Sequence, residues 1–135
     1  MELRYCSTPN KRETSEGVAL YSPSPKEWPD ALDALRAAPT HHRLLLENER
    51  VRVIHTQIPV GDTAPLHTHR WSGAAYVISA SDFIRRAHEG NILFDSRGSG
   101  LVAAQAVHWL DPLPPHTVEN VGASAISIVT VEVKS

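Results

Sequence analysis

Two histidines one residue apart, His67 and His69, stand in the stretch GDTAPLHTHRWSGAAYVIS, residues 61–79. Within a β-strand, residues i and i+2 project to the same face, so the pair would present two imidazoles at a separation that one metal ion can span. Eight histidines in 135 residues would give roughly half of one such pair by chance, so the spacing needs a third ligand to carry weight. Two neutral imidazoles hold a borderline divalent ion only loosely, and a real site recruits another nitrogen or a carboxylate from elsewhere in the chain. His116, in DPLPPHTVENVG, meets that need. Pro114 and Pro115 stiffen the entry to the strand HTVENV, and alternation puts His116, Val118 and Asn120 on one face with Thr117 and Glu119 on the other. Glu119 is therefore a poor ligand candidate.

The elements that must position these rings are short strands. From residue 42 onward the chain reads RLLLE, VRVIHTQI, AAYVISA, DFIRR, NILFD, LVAA, AVHWL, HTVENV and AISIVTVEV, separated by Gly, Pro, Asn or Asp clusters. Eight or nine strands with no helix between them predict an antiparallel sandwich or barrel, because closing the sheet removes exposed edges. HEGN, between DFIRR and NILFD, predicts a hairpin turn with Gly90 or Asn91 at positive φ. Ahead of the strands, Pro9, Pro23, Pro25 and Pro29 interrupt a polar stretch that predicts an extended arm. Asp30 is expected to N-cap one short helix, ALDALRAA, whose Leu32 and Leu35 share a face and which Pro39 stops. The expected division is residues 1–41, arm and helix, and residues 42–135, barrel. No internal repeat or low-complexity segment is evident.

Composition narrows the partners. Thirteen basic and fifteen acidic side chains give a net charge of −2, which supplies no broad cationic surface for a nucleic-acid backbone or an anionic bilayer. No apolar run is long enough to span a membrane. The single Cys6 cannot form an internal disulfide, and MELRYCSTPNKRETSEG lacks the apolar stretch of a secretory signal, so a cytoplasmic location is expected.

Taken together, Gly61, His67 and His69, followed by His116 and Asn120, resemble the two motifs of the cupin superfamily over residues 42 to 133. The resemblance implies an all-β, small jelly-roll barrel holding a divalent metal ion (Fe, Zn, Ni or Mn) through His67, His69 and His116. Cupins usually carry a glutamate four residues after the second histidine of the first motif, where this chain has Gly73, and a glycine three residues before the second-motif histidine, where it has Leu113. A three-histidine set is similar to that of cupin dioxygenases that use ferrous iron. Such a set adds no ligand charge and leaves positions open to water, oxygen or an anionic, chelating substrate. A glutamate introduced at position 73 is expected to add an anionic ligand and tighten metal binding.

Several residues are candidates for the surroundings of such a site. His55, Gln57, Gln105 and His108 are candidates for a fourth ligand or a substrate contact. Arg70, with Arg85 and Arg86, could clamp an anion. Trp71 and Trp109 could wall a pocket. The substrate-binding set expected from these is Gln57, Arg70, Trp71, His108 and Trp109. His41 and His42 lie between helix and first strand, with diverging side chains, and are expected to face solvent outside the site. Two functions follow: a metal-dependent enzyme of small molecules, dioxygenase-like or Lewis-acid in chemistry, or a metal- or ligand-binding module without turnover. The apolar RLLLE and the habit of cupins to pair predict a homodimer.

Overall fold

Nine strands build two antiparallel sheets in a computed structural model that describes residues 20–99 and 103–135. They are β1 (His42–Glu47), β2 (Val51–Ile58), β3 (Thr63–His69), β4 (Gly73–Ser79), β5 (Phe83–Ala87), β6 (Ile92–Asp95), β7 (Val107–Leu110), β8 (Leu113–Asn120) and β9 (Ile126–Val133). One sheet has the order β1-β2-β9-β4-β7, the other β3-β8-β5-β6, which is the jelly-roll arrangement that the strand spacing predicts.

Alternation within the strands decides what each sheet turns inward. Along β2, Arg52, Ile54 and Ile58 are buried. Along β9 the positions of one parity run Ile126, Ile128, Thr130, Glu132, so the barrel lining passes from apolar to polar along a single strand. Along β8 the lining likewise passes from His116 to Val118, and along β3 the buried positions include Ala64 and His67. The apolar core is formed by Ile58, Ala64 and Ile126, with Phe83, Val118 and Ile128 packed against it. Burial of these side chains drives the two sheets together.

The hairpin HEGN joins β5 to β6, with Gly90 at φ +99° and its N–H donating to Ala87 O at 2.8 Å. LVAA does not form the predicted strand among the described residues: Leu101 and Val102 lie outside them, and Ala103 and Ala104 lie in the turn that leads to β7. Leu113, which stands where the second motif usually has a glycine, begins β8 and pairs with His69.

The segment ahead of β1 departs from the sequence reading. Of the predicted arm, residues 1–19 lie outside the described residues. Residues 20–29 lie against the barrel, where Trp28 is buried and donates its indole N–H to Ser22 O at 2.8 Å. ALDALRAA is split between a 3-10 turn, Asp30–Leu32, and a one-turn helix, Ala34–Ala37. The cap is Asp33, not Asp30: its carboxylate accepts from Leu35 N at 3.1 Å. Asp33 is held in an extended conformation by a bridge to Thr68 and a fork to Arg52, and this breaks the helix in two. No helix among the described residues is long and apolar enough to cross a membrane.

Candidate metal centre

β3 and β8 pair so that His67 and His116 stand directly opposite each other. Cross-strand partners share a face, and the two rings meet at a centroid distance of 4.3 Å, both residues almost fully buried. His69, on the same strand as His67, brings its ring to 5.1 Å from His67 and 6.0 Å from His116. The fourth ring corrects the sequence reading. His42, expected to face solvent, is 4% exposed at the start of β1, with its ring 4.6 Å from His67 and 5.2 Å from His69. Ligand atoms of His42, His67 and His69 lie within 4.8 Å of one another, close to the roughly 4 Å that two metal–nitrogen bonds span. His41 is also buried, but turns away to Asp62, Nε2 to Oδ2 3.1 Å. The two neighbours diverge as expected, but both are buried, and only His42 turns into the barrel.

All four rings of the cluster are oriented through Nδ1. His42 Nδ1 donates to Ala38 O (3.0 Å), His67 Nδ1 to Pro65 O (2.7 Å), His116 Nδ1 to Pro114 O (2.6 Å) and His69 Nδ1 to Glu132 Oε2 (2.8 Å). Each bond fixes the Nδ1–H tautomer and leaves the Nε2 lone pair free. Two of them come from one local device, Pro-x-His, in which the proline two residues back supplies the carbonyl. Burial, and secondarily neighbouring imidazoles, pushes His42 down to about 4 and His116 to about 3, and holds His67 far below the ordinary histidine range. Neutral imidazoles with oriented, unprotonated nitrogens are what a divalent ion requires of its ligands, so the donor set fits a metal.

The carboxylate missing from position 73 enters from another strand. Gly73 on β4 pairs with Glu132 on β9. A Cβ at 73 would lie 2.4 Å from Val131 O and 3.0 Å from Glu132 Cα, so the expectation that a glutamate could be accommodated there is corrected: the backbone of β9 fills the place. Glu132 is 1% exposed. Its Oε2 receives His69, its Oε1 receives Arg52 at 2.9 Å, and Arg52 forks onto both oxygens of Asp33 at 3.0 Å each. Both oxygens of Glu132 are thus occupied, and it orients His69 rather than adding a free donor.

The cluster opens into a cavity of about 340 Å³ between the sheets, within the range of small-molecule sites. Of the residues expected near the site, Trp71 and His108 line this cavity, as does Arg85, whereas Trp109 borders it only from the outer parity of β7 and is 62% exposed. Arg70 does not, because its guanidinium is drawn off to Trp28 O and Asp30 Oδ1, at 2.9 and 2.8 Å. Gln57 is exposed on the outer face of β2, His55 bonds Ser127 Oγ on that same face, and Gln105 forms an exposed turn at φ +59°. Arg86 pairs with Glu119.

Comparison with solved structures places the fold. A cupin domain from Bordetella pertussis Tohama I aligns with 70% of this chain and 92% of its own, at TM-score 0.58 and 18% identity. An RmlC-like cupin family protein with a double-stranded β-helix fold from Methanocaldococcus jannaschii aligns over 68% of this chain and 77% of its own, at TM-score 0.50 and 12% identity. A Bacillus halodurans protein covers 70% of both chains at TM-score 0.51 and 16% identity. No family model matches the sequence, and no curated protein matches it. The likeness is one of fold.

Proposed function

Starting from a chain with the cupin fold, we propose that it binds one divalent transition-metal ion through His42, His67 and His69, with His116 beside them, and acts on a small molecule in the adjoining cavity. The observation that carries this reading is the fixing of four Nδ1–H groups by four acceptors, with ligand atoms of His42, His67 and His69 within 4.8 Å of one another next to a ligand-sized void. A bound ion supplies Lewis acidity there and, as ferrous iron, electrons for dioxygen chemistry. The chain's own part is to hold the imidazoles neutral, to align His69 through Glu132 and to exclude water with the apolar lining. Histidine ligands leave the dipositive charge uncancelled, which favours an anionic substrate. Held by His42, His67 and His69, the ion would keep room in its coordination shell for substrate or oxygen, which supports turnover.

A binding module without turnover is the second reading. It is favoured by His116, whose ring stands 4.3 Å from that of His67: a fourth imidazole would close a tetrahedral site. Metal analysis of protein purified without a histidine tag separates the two. Ferrous iron with oxygen uptake on small thiols, diketones or aromatic acids supports the enzyme. Zinc alone, inert on all of them, supports the module, and no ion at all sinks the metal reading.

The working unit is proposed to be a homodimer. Across the outer face of the five-stranded sheet, register aligns Leu46, Val53, Val131, Ala74 and Trp109 in one row. Leu46 is 52%, Val131 37% and Trp109 62% exposed. A contiguous apolar row of this kind marks an association surface.

A further inference from the structure

Four buried side-chain nitrogens among the described residues lack a hydrogen-bond partner: His41 Nδ1, Arg70 Nε, Arg85 Nε and His108 Nε2. Two of the four, on Arg85 and His108, belong to residues that line the cavity beside the histidine cluster. Buried polar atoms are nearly always satisfied, so two unsatisfied ones bordering one void call for a missing acceptor.

Arg85 is the more demanding of the two. Its guanidinium forms neither a hydrogen bond nor an ion pair with any described residue, while its neighbour Arg86 pairs with Glu119. Its Cζ stands 5.7 and 5.9 Å from the ring centroids of Phe83 and Phe94, which are themselves 5.4 Å apart, so the charge rests beside an aromatic pair. Cation–π contact of this kind attracts the guanidinium without neutralising it. The carboxylates that border the cavity do not neutralise it either: Glu132 is committed to His69 and Arg52, and Asp111 is exposed. Burial lowers the pKa of Arg85, yet a guanidinium stays charged at any ordinary pH. A charge so placed is costly until an anion meets it.

Register sets where that anion would lie. Ala87 pairs with His116 and Arg85 with Val118, so Arg85 is one inward position along β5 from the residue opposite His116, about 7 Å along the strand. Apolar side chains, Phe83, Val118 and Ile128, occupy the lining around it. We propose that Arg85 is the anchor for the carboxylate of a small, largely apolar organic acid, with His108 meeting a polar atom of the same ligand from the opposite sheet. This deepens the small-molecule reading above and does not depend on a metal. A planar fork matches a carboxylate in two parallel hydrogen bonds, and the apolar lining takes up a hydrocarbon or aromatic body.

Benzoate and its neutral isostere benzamide serve as the paired probes, titrated calorimetrically into metal-free and zinc-loaded full-length protein. The expected result is that metal-free protein binds benzoate at least ~10-fold more tightly than benzamide, the margin of a charge-assisted bond. Arg85→Gln should abolish that preference, and Arg85→Lys, which keeps the charge and loses the fork, should retain part of it. Circular dichroism checks that the variants fold, and the comparison of the two probes on the wild-type chain stands even where they do not. Equal binding of the probes, or no binding of either at millimolar concentration, overturns the proposal. So does a preference that survives Arg85→Gln, or one that appears only with zinc, because the carboxylate would then sit on the ion. Zinc failing to bind while the preference holds would remove the metal reading alone.

Discussion

Gly73 and Glu132 face each other across β4 and β9: a side chain on the first would run into the β9 backbone at Val131 and Glu132, while the carboxylate of the second is buried between His69 and Arg52. The carboxylate beside the histidines is thus supplied by β9, and it bonds a histidine ring.

Substitution of that glycine should therefore fail sterically. With 2.4 Å to Val131 O, even Gly73→Ala forces β4 and β9 apart and should cost about 1–3 kcal/mol of stability or more, read from urea unfolding. Unchanged stability would show that the strands can separate freely there.

Replacing Glu132 by Gln leaves one oxygen to serve both His69 and Arg52, each now lacking part of its partner. Breaking a buried ion pair in this way should cost about 3 kcal/mol, and the loosened His69 should lower affinity for zinc by ~10–100-fold. Zinc titration monitored by calorimetry, beside a urea curve, reads both. Full zinc affinity in the variant would show that Glu132 has no part in orienting the site.

His42 and His41 form a matched comparison. His42→Ala should weaken zinc binding at least ~10-fold, as one coordinate bond of a small set is lost, whereas His41→Ala, which removes a ring turned toward Asp62, should leave it unchanged. Equal effects would remove His42 from the ligand set.

The acid response has a definite sign. Burial, reinforced by neighbouring imidazoles, brings His42 to about 4 and His116 to about 3, both below the unfolded value of 6.5. The unfolded chain then binds more protons across that interval, so stability of the metal-free protein is full above pH 6.5 and is lost as pH falls toward 3. Urea midpoints measured from pH 7 to 3 should fall steadily, and His42→Gln should flatten the upper part of the curve. A midpoint that rises on acidification contradicts neutral burial of these rings.

Light scattering at micromolar concentration should give twice the chain mass, and Val131→Glu, placed in the middle of the exposed apolar row, should give the monomer. A wild-type monomer would leave that row without the second copy proposed for it.

Most of the strands and their inward parity were legible because alternation has a period of two. However, β3 was not among the strands read from the sequence, and register shifts on both sides of His67 break its alternation, so the pairing of His67 with His116 is a finding of the structure. Glu132 was readable by the same rule, since it shares parity with Ile126, Ile128 and Thr130, but a strand called apolar by its valines and isoleucines hides one acid at its end. His42 was not legible in this way. Its burial depends on the preceding segment folding back on the barrel, and Leu44 and Leu46, of the same parity in sequence, are 42% and 52% exposed. A bulge between Leu44 and Leu46 breaks the alternation of β1, so no periodicity could have indicated which of its residues turn inward. Arg70 and Gln57 failed as cavity residues for different reasons: the first is claimed by Asp30, and the second lies on the outer parity of β2.

Asp33 is joined to three parts of the molecule: the amide of Leu35, the bridge to Thr68 and the guanidinium of Arg52. Ala38, one turn later, holds His42 by its carbonyl. The shape of the imidazole cluster and the docking of residues 30–42 are consequently a single equilibrium. An ion that prefers the aligned rings must stabilise that docking by the same free energy that docking lends to the ion. Amide protons of residues 36–38, bonded back to Asp33 and Ala34, would then exchange with solvent more slowly in loaded protein, and cleavage of the chain just ahead of β1 would release the ion without touching a strand.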